Sequence, residues 1–462
     1  MTSYEFYLSP FSWRYSSPEM RSLWSETQKR LHWRQIWLAL AEVEMELNLV
    51  SPEQVVDLRD HVEDVDIERA LVIEAEINHD LMAELKAYAE QCPIGGKILH
   101  LGATSMDIED NADAIRLRKS IEIILNKLDH LLVQLANQVE RWVDLPVIAY
   151  THLQPAEPTT LGYRLAQYAH DLCLDHNALH QVWLELRGKG FRGAVGTGAS
   201  FAELVGADRL ADFQERLSRK VGIEFYPVTT QTYPRKQDYQ VLSALAGLGG
   251  SLYKFAFDLR LLQSPALGEL SEPFGRQQVG SSAMPFKRNP VSAENIDSLA
   301  RALAQMPRLA WDNAAHSLLE RTLDDKGNRR ILLPEACLIT DELLHVTTKI
   351  VEGLQLDEYA IQRNFAIYAP FAATERVLMA LSKAGADRQA MHERLRRHAM
   401  QAWETIRIGQ SNPIIQLVCS DQVFLGYLNQ SALQALMDAS SYVGDAPTRA
   451  RALVEQIRRQ CA

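Results

Sequence analysis

Gly275-Arg276-Gln277-Gln278-Val279-Gly280-Ser281-Ser282-Ala283-Met284-Pro285-Phe286-Lys287-Arg288-Asn289-Pro290 interrupts a chain whose patterning is otherwise helical. The stretch has no apolar period. It carries two glycines, a serine pair, three cations and two prolines, a composition that predicts a loop. Asn289-Pro290 predicts the start of a helix, because Asn can cap and Pro at the first helical position gives up no needed hydrogen bond. The helix from Pro290 to about residue 310 would then point its positive end back at the loop. A hydroxyl pair, Lys287 and a helix N-terminus suit an anion that gains charge during a reaction. On spacing alone the blander reading competes: Gly-Ser-Ser is usually a linker, and Lys-Arg a solvated pair.

Outward from the loop the chain reads as long helices. Met20 to about Asn48 has apolar residues at helical spacing, including Trp33, Ile36, Trp37, Leu40 and Val43. Ser51-Pro52-Glu53 restarts a helix with a cap followed by Pro. From Ile108 to Leu145 there is neither Gly nor Pro, which predicts a helix of up to about 55 Å at 1.5 Å per residue. Helices of that length suit a bundle and suggest packing between subunits. Pro158-Thr159-Thr160 should open the next helix, to about Arg187, and another should run to about Gln263. The glycines at 247, 249 and 250 inside that last helix predict close helix approach. The glycine-rich run 188–201 lacks a preceding strand and a βαβ unit, so it predicts a tight turn against the bundle rather than a dinucleotide site. Beyond Leu356 shorter helices rich in Arg and His suggest a third, smaller helical domain. Period-2 alternation is not sustained anywhere, so little strand is expected.

At 462 residues the chain can hold two or three domains and a large core. Its net charge of −11 argues against nucleic acid as the main partner. Five widely spaced cysteines without a Cys-x-x-Cys read as reduced thiols of a cytoplasmic enzyme. No apolar run approaches the length of a membrane span, and the N-terminal residues lack the pattern of a signal peptide. No metal-ligand cluster stands out.

Several short stretches could carry chemistry, and each has an ordinary alternative. Arg14-Tyr15 could be a surface aromatic with a stacked Arg. His79-Asp80 precedes a helix, where a lone His is more often structural. Thr104 with Asp107 is a capping-box-like helix start, and Thr104 and Ser105 would offer hydroxyls and free N–H groups to a carboxylate. Thr151-His152-Leu153-Gln154-Pro155 places His152 in a bend. Three arginines and Lys326 within 320–330 would ordinarily be solvated.

A resemblance changes that balance. Gly280 to Pro290 resembles the signature loop of the fumarase/aspartase superfamily, Gly-Ser-Ser-x-Met-Pro-x-Lys-x-Asn, and Ala283 and Arg288 lean toward its adenylosuccinate lyases, notably the longer animal-type enzymes. At least six motifs across essentially the whole chain follow in the family's order. The resemblance implies an all-α fold of three helical domains, 1–104, 105–356 with the signature loop, and 357–462. It also implies a homotetramer whose composite sites draw on three subunits. No cofactor and no metal are implied, and neither nucleic acid nor membrane is expected as a partner.

The implied reaction is elimination of fumarate from succinylated purine nucleotides: adenylosuccinate, giving AMP, and succinyl-aminoimidazole-carboxamide ribotide (SAICAR), giving AICAR. By the same resemblance Ser281 is the general base and His152 the general acid. Lys287 and Asn289 bind the carboxylate being activated, and His79 with Asp80 lies close to the substrate. Thr104, Ser105 and Gln231 hold the succinyl end, Thr151 is a further substrate-binding residue, and Arg14, Tyr15, Arg321 and Arg330 hold the phosphate. Lys326 stands where the family's phosphate segment has Ser; it would either strengthen that site as a point charge or fit a different succinylated amine. Other readings stay open here: a superfamily lyase for another succinyl amine, a non-catalytic helical scaffold, and a cycloisomerase.

Overall fold

The structure, a computed structural model, describes residues 5–461; residues 1–4, which open the N-terminal stretch read above, and residue 462 lie outside it. The described residues are predominantly helical, with two two-stranded antiparallel sheets. They cluster into two compact units. One comprises 5–128, 175–252 and 298–345; the other comprises 129–174, 253–297 and 346–461. The helices Ser105–Arg141, Leu161–Glu185, Lys236–Leu262, Val291–Leu303 and Lys326–Glu352 contribute residues to both. The three consecutive segments expected from sequence divide the chain along its length, on which this spatial clustering does not bear.

In the first unit the expected 20–48 helix is two helices, Pro18–Leu23 and Glu26–Glu46. The break falls at Trp24, and Ser25 recaps the chain by accepting from Gln28 N. Pro52–Asp60 starts as predicted, with Pro at the first position and a reciprocal capping box between Ser51 and Gln54. Trp33, Ile36, Trp37, Leu40 and Val43 pack in one core with Ile108, Ala112, Phe191, Phe201 and Phe213. Glu44, on the same helix, is 1% exposed and neither of its carboxyl oxygens has a hydrogen-bond partner. Close helix approach is found at Gly249, where a Cβ would lie 3.0 Å from Leu303 Cδ2; nothing lies within 4 Å of the Cβ position of Gly250.

The glycine-rich turn is held by Asp107, which is fully buried. Its carboxylate accepts from Thr104 N (2.8 Å), Arg192 N (3.0 Å) and Gly193 N (3.2 Å), and pairs with the buried ammonium of Lys189. Asp107, the acidic partner in the predicted cap at Thr104, is therefore also the anchor for residues some 85 positions later.

In the second unit, Pro146–Thr151 and Gln154–Thr160 form an antiparallel hairpin, so the next helix starts at Leu161 rather than at Pro158. Thr160 caps it by accepting from Tyr163 N (3.1 Å). Ile148 joins a core with Ala369, Ala373, Val377 and Leu381 of the Glu358–Lys383 helix. That helix has 26 residues, so helices beyond Leu356 are not uniformly short. The predicted 290–310 helix also breaks: Val291–Leu303 ends before Gln305, and Met306–Ala315 restarts with Pro307 in its first turn.

Candidate active site

The signature loop leaves a short strand, Leu270–Ser271, which pairs with Gln355–Leu356, and returns to the helix Val291–Leu303. Its base is closed by Glu272, 2% exposed, whose carboxylate accepts from Ser292 N (3.1 Å) and Ala293 N (2.9 Å). This corrects the expectation that the helix terminus is offered to a ligand: a carboxylate of the chain already satisfies its first N–H groups. Asn289 does not cap with its side chain either. Its Nδ2 donates to Gly280 O (3.0 Å) and ties the two ends of the loop together. At that crossing a Cβ on Gly280 would lie 2.0 Å from Lys287 O, so only glycine fits.

Within the loop Ser281 Oγ accepts from Met284 N (3.0 Å) and Ala283 N (3.4 Å). Two N–H dipoles aimed at a hydroxyl oxygen favour its deprotonated form over its neutral one. Lys287 is exposed, as is Phe286.

His152 and Leu153 are the two turn residues of the hairpin, between Thr151 and Gln154. Both have positive φ, 52° and 59°. A two-residue turn of this type favours Asn-Gly, and a His-Leu pair held there is a strained choice of the kind found at functional positions. The turn leaves His152 exposed. Ser281, Lys287, Asn289, Thr151 and His152 all belong to the second unit.

The remaining predicted residues lie in the first unit, where several meet. His79 caps the Asp80–Gln91 helix, its Nδ1 accepting from Met82 N (3.3 Å), and its Nε2 lies 3.4 Å from Ser105 Oγ. Because Nδ1 accepts, the neutral ring carries its proton on Nε2 and donates it to Ser105. Lys326, first residue of its helix, donates to Asp80 Oδ1 (2.9 Å), and Arg330 one turn later pairs with Asp80 Oδ2. Burial would raise Asp80, but the Lys326 hydrogen bond and the charges of Lys326 and Arg330 outweigh it and hold the carboxyl below its ordinary value. These groups line a cavity of about 300 Å³ together with Glu109, Arg30 and Arg329.

Arg321 is tied to Asp325 (2.8 Å), the edge of a buried ionic network. Asp325 accepts from Arg235 Nε (2.6 Å), Arg235 reaches Asp110 (3.0 Å), and Arg329 binds Asp238 (2.8 Å) and Tyr233 Oη (2.7 Å). Gln231 borders this network, its backbone N donating to Glu320 O (3.2 Å). Arg14 is exposed, its guanidinium 5.8 Å from the ring centroids of both Trp13 and Tyr15.

Sequence reasoning missed Glu272, Asp107 as an anchor, Glu109, and the Arg235–Arg329 network. Only Asp107 had a local signal, its spacing from Thr104. Among the described residues no cluster of His, Cys, Asp or Glu is placed to hold a metal ion, and no helix is long and apolar enough to cross a membrane.

Residues 12–304 match the family described as Lyase, and 370–453 match the adenylosuccinate lyase C-terminus. Among solved structures the fold is similar to 3-carboxy-cis,cis-muconate lactonizing enzyme from Pseudomonas putida (24% identity, TM-score 0.87, covering 98% of this chain and 99% of that chain). It is also similar to fumarate lyase from Mesorhizobium sp. BNC1 (22% identity, TM-score 0.84, 97% and 99%). Together with the loop, these define a lyase of the fumarase/aspartase superfamily.

Curated relatives narrow the class. Adenylosuccinate lyase of Saccharomyces cerevisiae is 38% identical over 99% of this chain and 95% of its own length, and that of Schistosoma mansoni 38% identical over 96% and 94%. The Pyrococcus abyssi enzyme is 33% identical over 97% and 96%. The chain belongs to the adenylosuccinate lyase family and is a carbon–nitrogen lyase.

Proposed function

We propose that this protein eliminates fumarate from adenylosuccinate, giving AMP, and from SAICAR, giving AICAR. The observation that carries the chemistry is the Ser281 hydroxyl oxygen resting on the N–H groups of Ala283 and Met284. The C–H to be broken lies beside a carboxylate and is weakly acidic. Its removal creates a dianionic aci-carboxylate, so a base works there only where cations and dipoles stabilise both it and the product. In this reading Ser281 as alkoxide takes the proton. Lys287 and Asn289 steady the carboxylate that gains charge. The C–N bond then breaks, and His152 protonates the departing nitrogen. His79 orients through Ser105, while Thr104, Ser105 and Gln231 hold the succinyl end.

The phosphate is assigned to Lys326, Arg330, Arg321, Arg14 and Tyr15. Asp80 holds two of those cations, so the phosphate competes with a carboxylate for them. We further propose a cytoplasmic homotetramer with composite active sites; free thiols at all five cysteines support the reducing setting, and the long helices support the assembly.

The test is an ultraviolet assay of the purified full chain with adenylosuccinate and, separately, with SAICAR, alongside Ser281→Ala. Turnover of both substrates, lost in the variant, is the expected result. A folded protein inactive on both would redirect the assignment to another succinylated amine, with Lys326 in place of Ser as the first residue to question.

A further inference from the structure

We propose that Glu109 is a positioning residue for the phosphate end of the substrate: it holds Lys326 beside Asp80 in the free protein and carries a proton once the phosphate is bound. The inference rests on the assignment of that phosphate to Lys326 and Arg330.

Glu109 lies in the second turn of the Ser105–Arg141 helix and faces the cavity that Lys326 and Arg330 line. It is 9% exposed, and its Oε1 has no hydrogen-bond partner. That oxygen lies 3.7 Å from Lys326 Nζ, too far for a hydrogen bond and close enough for a strong charge interaction. Lys326 is already donating to Asp80. Glu109 thus shares one cation with a better-placed carboxylate.

The other charged groups around it are committed. On the same helix Asp110 is paired with Arg235 (3.0 Å), and Asp113 lies 3.4 Å from Arg329. Arg30, from the Glu26–Glu46 helix, binds Glu84 (2.9 Å), with Glu74 at 3.7 Å; Lys29 pairs with Glu26 (2.6 Å), and Arg116 lies 3.5 Å from Asp113. Arg330 is held by Asp80.

A phosphate on Lys326 and Arg330 brings further negative charge into this space. Of the buried carboxyls here, Glu109 has the fewest donors, and Glu74 is relieved by solvent, so the added repulsion is relieved most readily by a proton on Glu109. Burial, then the charge of Asp80, already push Glu109 up to about 7. Once neutral, the carboxyl offers an O–H at the site of the unpartnered acceptor, and Lys326 is released to the phosphate.

The experiment is calorimetric binding of AMP to the full chain between pH 6.5 and 8.5, in buffers of unlike ionisation enthalpy, for wild type and Glu109→Gln. Titration of the AMP phosphate is common to both proteins, so the difference reports Glu109. Wild type is expected to take up close to one more proton than the variant at the upper end of the range, and to lose affinity relative to it about tenfold per pH unit there. Equal proton counts would overturn the proposal. Lys326→Met gives an independent arm should Glu109→Gln fold poorly: loss of the cation should move the uptake to higher pH, and an unmoved midpoint would count against Glu109. AMP affinity unchanged in both Lys326→Met and Arg330→Ala would instead overturn the phosphate assignment itself.

Discussion

Glu272 Oε2 lies 2.9 Å from Ala293 N, so the residue that precedes the signature loop caps the helix that follows it. The loop is therefore a closed cycle whose two stems are fastened by one carboxylate. Charge-assisted hydrogen bonds contribute about 1.5–3 kcal/mol each, and removing one partner leaves buried N–H groups unpaired. Glu272→Ala should lower unfolding free energy by about 2–3 kcal/mol in a urea titration and lower kcat through the displaced loop. Glu272→Gln, which keeps one acceptor, should lose less of both.

Ser281→Ala removes the acceptor of the Ala283 and Met284 N–H groups together with the proposed base. Because both N–H groups sit in an exposed loop, water replaces the serine oxygen at little structural cost. The expected outcome is an unchanged melting temperature with kcat reduced by about 10²–10⁴. A loss of stability equal to the loss of rate would identify a structural serine instead.

His152 tests the hairpin. Asn tolerates positive φ better than His, so His152→Asn should leave folding intact or slightly improved while removing the group proposed to protonate the leaving nitrogen. Steady-state rates should fall by about 10²-fold or more with little change in KM. Preserved turnover would return His152 to a structural role.

Lys326→Ala frees half of Asp80 and removes one proposed phosphate contact. KM for adenylosuccinate should rise by about tenfold or more with kcat largely kept, the signature of lost uniform binding. An unchanged affinity would show that Lys326 serves Asp80 alone.

Glu44 predicts a pH dependence of folding. Burial pushes its carboxyl from 4.5 up to about 8. Above 4.5 the unfolded chain ionises there while the folded chain keeps the proton, so this contribution is whole below about pH 4.5 and drains away as pH rises toward 8. Glu44→Gln should abolish that slope. Its advantage over wild type in unfolding free energy should grow by about 1.4 kcal/mol per pH unit across the window, as measured by denaturant titrations at several pH values.

The parts legible in the sequence were those with local cause. Gly280, Ser281 and Pro285 forbid a helix and fix a loop, and the absence of Gly and Pro from 108 to 145 dictates a long rod. The break at Trp24 was masked because Leu23 and Trp24 suit the apolar period, although Ser25 followed by Gln28 carried a capping signal. The His152–Leu153 turn lacks any Asn-Gly cue, and its strain is imposed by the strands around it. Glu272 and Ala293, or Arg329 and Asp238, meet only through tertiary packing, and nothing in either residue's neighbours announces its partner. The same holds for Glu109, which in sequence is one acid among several on a helix face.

The anchoring of Asp107 also sets an order of events during synthesis. Its carboxylate organises Thr104 at once, but its other partners, Lys189, Arg192 and Gly193, are made more than 80 residues later. The rod between can wind as soon as it leaves the ribosome, whereas the acid at its head stays without its cation until the chain has returned to it. Closing a loop of that length is a late, entropically costly contact, so this corner should be among the last parts to gain protection during refolding.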